Sequence, residues 1–121
     1  HPGLPDYNLR GRFRTDATGT FEVQTVIPAQ YEIRKSGPTG ELFELIGRSA
    51  WRPAHLHFKV SQPGYRTLTT QLFFHGDEYL GSDAGNAVKP DLIIPLQKAD
   101  AGNGIGLRAT YDFVLEPQQL S

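Results

Sequence analysis

The stretch Arg52-Pro53-Ala54-His55-Leu56-His57-Phe58 places two of the chain's four histidines one residue apart, three positions after an arginine. On an extended strand, residues i and i+2 point to one side with Cα atoms roughly 6.5–7 Å apart. Two imidazoles at that spacing can converge on one metal ion about 2 Å from each nitrogen. The same spacing also describes two ordinary histidines on the open face of a two-sided strand. An H-x-H pair does not choose among zinc, copper and iron, because imidazole suits all three.

The surrounding residues narrow the choice. A cupin-type H-x-H site needs a glutamate shortly after the second histidine, and the chain there reads Phe58-Lys59-Val60-Ser61-Gln62. Cysteine is absent, which excludes disulfides, thiolate ligands and cysteine nucleophiles and leaves oxygen or nitrogen donors to complete any site. A tyrosine phenolate is a hard anion suited to a ferric ion. Five tyrosines are present. Tyr111 lies in an alternating stretch and reads as a packing residue, Tyr65 and Tyr79 lie in or near turns, and Tyr7 is close to the start. Tyr31 follows Ile27-Pro28-Ala29-Gln30, a proline-marked turn that can aim a side chain inward. These signals leave the choice among tyrosines open.

The elements that must position these residues are short. With 121 residues the chain is one domain, and 13 glycines with 9 prolines cut it into pieces suited to a many-stranded sandwich or barrel. Residues 9–15 and 20–27 alternate around Asp16-Ala17-Thr18-Gly19, which predicts a hairpin. Residues 54–60 alternate with Ala54, Leu56, Phe58 and Val60 on one face, so His55 and His57 point away from that core. Residues 68–74 and 107–115 predict further strands, although parity alone does not say which way Gln71 points. Residues 40–47 are the helical candidate, with Leu42, Leu45 and Ile46 on one face and Gly47 at the end. Pro90 and Pro95 restrict any strand in the loop-rich 81–104 segment to an edge. The expected fold is all-β: a β-sandwich of mixed or antiparallel strands with one short helix. A net charge of −1 gives no basic excess for nucleic acid or a membrane surface, and no apolar run approaches the ~20 residues of a membrane span.

In order along the chain, several blocks resemble the intradiol ring-cleavage dioxygenases of the catechol and chlorocatechol 1,2-dioxygenase type. They are Leu9-Arg10-Gly11 with Thr15-Asp16, Ile27-Pro28-Ala29-Gln30-Tyr31, Gly37-Pro38-Thr39-Gly40, Gly47-Arg48 and the heptapeptide at 52–58. Pro63-Gly64, Leu68-Thr69-Thr70-Gln71-Leu72 and Gly76-Asp77 continue the likeness, which weakens after about Pro95. The 24-residue separation of Tyr31 from His55 is part of that signature.

The resemblance implies a β-sandwich catalytic domain over residues 1–121 with a mononuclear, non-haem Fe(III), held by Tyr31, His55 and His57. Tyr31 matches the tyrosinate that leaves the metal when substrate binds and takes up a proton. Arg52 matches the arginine that stabilises charge on the substrate ring, and Gln71 a neighbouring active-site glutamine. The implied reaction inserts both atoms of O2 into a catechol to give a cis,cis-muconate. Ala84 replaces a bulky aromatic found in enzymes acting on plain catechol, which implies room for a chloro- or methyl-substituted ring. Hydroxyquinol is the alternative substrate within the family. The family's first tyrosine ligand falls before His1, and Tyr7, 24 residues ahead of Tyr31, matches a non-ligand aromatic. With no methionine at position 1, the chain reads as a fragment of a cytoplasmic enzyme that is a homodimer at full length. Two other classes compete: a zinc or copper protein using His55 and His57 alone, and a non-catalytic β-sandwich binding module.

Overall fold

The computed structural model describes residues 9–34, 36–99 and 106–119. In chain order its elements are β1 (Tyr31–Glu32), α1 (Pro38–Leu45), β2 (Trp51–Arg52), β3 (His55–Val60), β4 (Leu68–Phe74), a 3-10 turn (Pro90–Leu92), β5 (Ile93–Ile94), β6 (Gln97–Lys98) and β7 (Leu107–Arg108). Among the described residues the regular elements are therefore mostly strands with one short α-helix, and the strands form three small sheets: β1-β2, β3-β4-β5 and β6-β7.

The β3-β4 pair organises the molecule. It is antiparallel, with Leu56 opposite Leu72, His57 opposite Gln71 and Phe58 opposite Thr70. Directly opposed residues share a face, so Leu56, Phe58, Val60, Leu72 and Phe74 line one side of the sheet and His55, His57, Gln71 and Phe73 the other. The first side is the core, as expected for residues 54–60. Ala54, Leu72, Phe74 and Ile94 are buried there, with Leu56, Phe58, Leu92, Leu96, Tyr111 and Phe113 packed against them. Phe73 is also fully buried although it lies on the histidine side, so β4 is covered on both faces. β5 adds to β4 in parallel as a two-residue edge, short because Pro90 and Pro95 bracket it.

Helix α1 starts two residues earlier than expected. Pro38 occupies its first turn, where a missing N–H costs nothing. At the other end the N–H of Gly47 donates to the Glu44 carbonyl and that of Arg48 to the Phe43 carbonyl, a Schellman closure that needs the φ of +66° at Gly47. The face shared by Leu42, Leu45 and Ile46 is turned outward, and the helix seats instead through buried Gly40 and half-buried Phe43.

Three expected strands are corrected. Around residues 9–27 the turn forms, closed by Asp16 N–H to the Thr20 carbonyl (2.9 Å), yet no strand ladder flanks it. The rings of Phe13 and Phe21, 5.5 Å apart, associate across that turn through side chains instead. Of residues 107–115 only Leu107–Arg108 pairs, with Gln97–Lys98. The remainder keeps its two-residue burial rhythm, with Tyr111, Phe113 and Leu115 half-buried and their neighbours exposed. Packing by Tyr111 and Phe113, rather than hydrogen bonding, holds that segment. None of the described helices is long and apolar enough to cross a membrane.

Candidate active site

The Nε2 atoms of His55 and His57 lie 3.2 Å apart. Two nitrogens bound to one ion at about 2.1 Å, at angles between octahedral and tetrahedral, are separated by about 3.0–3.4 Å, so this spacing fits a shared metal. His55 is buried and its Nδ1 sits 2.8 Å from the carbonyl oxygen of Pro53, which only accepts; Nδ1 therefore carries the proton and Nε2 presents its lone pair. Burial pushes the His55 imidazolium below its ordinary range, against the opposing pull of the Pro53 carbonyl and with help from the charge on Arg52. The neutral ring is the form a metal needs.

Tyr31 reaches the same place through sheet pairing. β1 and β2 are antiparallel with Tyr31 opposite Arg52, which puts both side chains on one side. The Tyr31 ring centroid is 5.5 Å from that of His55, and its hydroxyl accepts a hydrogen bond from Arg52 NH1 at 3.2 Å. The other described tyrosines go elsewhere: Tyr79 stacks on Trp51, Tyr111 packs on Phe113 and Tyr65 bridges to Pro117. Tyr7 and His1 lie outside the described residues. His75, in the turn after β4, is exposed.

Arg52 is the hub. Its Nε donates to Asp83 Oδ1 (2.7 Å) and its NH2 to Asp83 Oδ2 (3.1 Å), a two-point grip between side chains only 8% and 2% exposed. NH2 also donates to Gln71 Oε1 (3.0 Å), which answers the parity question: the His57–Gln71 register brings Gln71 onto the site face. NH1 alone has no carboxylate, and it faces Tyr31 and His55 Nε2, the latter at 3.5 Å. Arg52 thus pairs with an acid and keeps its place in the site. Stacking on the adjacent indole does not occur, because Trp51 is stacked on Tyr79.

Asp83 escaped the sequence reading. It sits in Gly81-Ser82-Asp83-Ala84-Gly85-Asn86, where an aspartate among small residues reads as turn chemistry. The signal available was Arg52 itself, since an arginine next to an apolar strand needs a counter-charge once buried. Burial alone would push the Asp83 carboxyl up. The hydrogen bond from Arg52 and those from the N–H groups of Ala87 and Gly85 outweigh it and hold the group down at about 2. Ala84 is buried and its N–H donates to the Trp51 carbonyl (3.2 Å), which ties this loop to β2 beside Arg52.

Asp77 joins the remaining parts. Its carboxylate accepts from the Ala54 N–H (3.0 Å) before His55, the Tyr79 N–H (2.9 Å) and Gln30 Nε2 (2.9 Å) before Tyr31. Among the described residues no group of three or more His, Cys, Asp and Glu could hold a metal. Tyr31 could add a phenolate oxygen to the two imidazoles, a donor set that suits a hard ferric ion.

Known proteins are similar to this chain. A family model described as dioxygenase matches residues 1–117. The chlorocatechol 1,2-dioxygenase of Rhodococcus opacus is 44% identical over 117 residues, covering 95% of this chain and 46% of that protein. The crystal structure of 3-chlorocatechol 1,2-dioxygenase from Rhodococcus opacus 1CP superposes with a TM-score of 0.88 at 49% identity, over 97% of this chain and 46% of that one. Hydroxyquinol 1,2-dioxygenase from Pseudomonas putida DLL-E4 gives 0.86 at 42% identity, over 97% and 44%. The chain spans about half the length of the relatives it matches. By the extent and identity of these matches, the chain belongs to the intradiol ring-cleavage dioxygenase family, of the catechol and chlorocatechol 1,2-dioxygenase type.

Proposed function

We propose that the protein is a non-haem Fe(III) intradiol dioxygenase that inserts both atoms of O2 into a catechol, giving a cis,cis-muconate. The convergence of the His55 and His57 Nε2 atoms at 3.2 Å, beside Tyr31 and Arg52, carries this reading. Tyr31, His55 and His57 would hold the mononuclear iron, which when bound supplies an electron-accepting centre that makes the catecholate ring reactive toward O2. The bond between the two hydroxyl-bearing carbons breaks and both oxygen atoms stay in the product, so no external reductant is needed.

The chain's own residues supply the rest. Tyr31 is 44% exposed and lies on a two-residue strand, so its phenolate oxygen can shift and take up a catechol proton. Arg52 NH1, the one end of the guanidinium without a carboxylate, faces this space and stabilises negative charge as it grows on the ring. Gln71 holds NH2 from the β4 side. Phe73, fully buried with its ring 5.7 Å from His55, keeps water from behind that imidazole.

Ala84, small and buried beside Arg52's partner, supports a ring bearing a chloro or methyl substituent, and the relatives named for chlorocatechol agree. Hydroxyquinol is the second reading, supported by the 0.86 superposition on a hydroxyquinol enzyme. The reading carries with it a β-sandwich over residues 1–121, a cytoplasmic homodimer at full length, and no nucleic-acid or membrane partner.

Ferric loading tests it. Iron bound to Tyr31 gives a strong visible band that shifts when catechol is added without oxygen, and Tyr31→Phe changes that band. A colourless protein that takes up zinc instead, or one that binds no metal, sinks the proposal. Turnover of chlorocatechol, methylcatechol, hydroxyquinol and plain catechol then ranks the substrates, and a strong preference for plain catechol refutes the role given to Ala84.

A further inference from the structure

We propose that Asp83 and Gly85 are positioning residues for Arg52: the carboxylate fixes the guanidinium plane, and the missing side chain at 85 leaves the space in which that plane lies. This rests on the role of Arg52 proposed above. A guanidinium on a long flexible stem reaches many orientations, and only a few of them aim NH1 at Tyr31 and His55. Two independent features select one.

The first is a carboxylate that is itself immobile. Asp83 is 4% exposed and accepts from Gly85 N–H (3.0 Å) and Ala87 N–H (2.9 Å), while its own carbonyl accepts from Asn86 N–H (2.9 Å). Asn86 adopts a φ of +50° to complete this wrap. A second arginine, Arg48, donates from NH2 to the Asp83 carbonyl at 3.3 Å. The acid that grips Nε and NH2 is therefore held by main chain on several sides, and it sets the direction of NH1 by default.

The second is steric. A Cβ built on Gly85 would lie 2.6 Å from Arg52 Nε, 2.7 Å from Cζ and 2.9 Å from NH2, and these are its three nearest atoms. Atoms that close cannot coexist, so the guanidinium lies flat against the glycine. An added methyl meets the movable end of one side chain rather than main chain, so it displaces Arg52 without removing any charge. Gly85→Ala and Asp83→Asn thus perturb the same side chain by unrelated means.

Both variants are made in the full-length protein, with two kinds of readout. The 15N–1H signal of Arg52 Nε, assigned with Arg52→Lys, reports the side chain without any metal. It is slow to exchange in the wild type, shifted in Gly85→Ala and lost to fast exchange in Asp83→Asn. In the ferric protein, kcat for the best catechol falls at least tenfold in Gly85→Ala with KM within threefold, and the visible band and its anaerobic catechol shift persist, because binding is kept and only stabilisation of developing charge is lost. An unmoved Nε signal in Gly85→Ala, a kcat within twofold of wild type, or a loss of kcat that merely follows loss of the visible band overturns the proposal. If Asp83→Asn does not fold, Gly85→Ala decides alone. A wild-type protein with neither colour nor turnover overturns the dioxygenase reading instead, while the Nε signal still decides whether Asp83 and Gly85 set Arg52.

Discussion

The Asp83 carboxyl should make this protein acid-labile by a calculable amount. Its folded-state value is lowered from 3.8 to about 2. A group depressed on folding contributes stability that is complete above the ordinary carboxylate range and disappears as pH falls through the folded value. At about 1.4 kcal/mol per unit the full contribution is about 2 kcal/mol, most of which is lost between about pH 5 and about pH 2. Other acids also titrate in that window, including exposed Asp16, whose carboxyl is lowered by hydrogen bonds from Thr18 and Thr20. A difference measurement removes them. Asp83→Asn has nothing to titrate at 83, and it leaves Arg52 buried without its counter-charge, which costs about 3–5 kcal/mol at neutral pH. Urea denaturation of wild type and Asp83→Asn at both pH values should therefore show the stability gap narrowing by about 2 kcal/mol in acid. A gap that stays constant would refute the electrostatic account of this pair and make its 2.7 Å contact a matter of packing.

Two further substitutions probe the supports of the site. Phe73→Ala removes a fully buried ring and should cost about 3–5 kcal/mol by chemical denaturation, whereas a loss under about 1 kcal/mol would mean the strand repacks freely. Asp77→Ala cuts the links to Ala54, Tyr79 and Gln30 at once. It should lower stability by about 1–3 kcal/mol and weaken ferric binding by roughly 10–100-fold, measured by competition with a chelator; unchanged metal affinity would show that Asp77 serves the fold alone.

How much of this was readable in advance depended on range. Strand alternation is local, so the opposition of His55 and His57 to Leu56, Phe58 and Val60 could be read directly from residues 54–60. The orientation of Gln71 could not, because it is set by pairing with His57 across a separate strand. Choosing Tyr31 among five tyrosines likewise depends on its pairing with Arg52, 21 residues away, and in the sequence only the family likeness points to it. Asp83 was hidden most fully. Its local sequence promises a turn, which it makes, and its second task involves a residue 31 positions earlier. The strands expected at 9–15, 20–27 and 107–115, of which only Leu107–Arg108 pairs, show the reverse failure: the apolar rhythm was present, yet alternation reports burial and does not by itself supply a hydrogen-bonding partner.

The β3-β4 register has a consequence for how such a chain tolerates change in length. Because opposed pairs alternate between the core and the site, a single-residue slip would send Leu56 and Phe58 outward and bury the imidazoles in the core. The penalty for exposing that many apolar side chains means the pairing does not drift; deletions within 55–60 or 68–74 remove fold and chemistry in one step. Apart from Gly64 to Arg66, which main-chain bonds tie to residues 116–118, the connection at 61–67 carries no such coupling. It turns through Tyr65 N–H to the Gln62 carbonyl and a φ of +83° at Gly64, and its side chains are exposed. Insertions and deletions accumulated over a lineage should therefore collect at this connection and spare the two strands, so the hydrophobic side of the hairpin acts as the proofreader of its catalytic side.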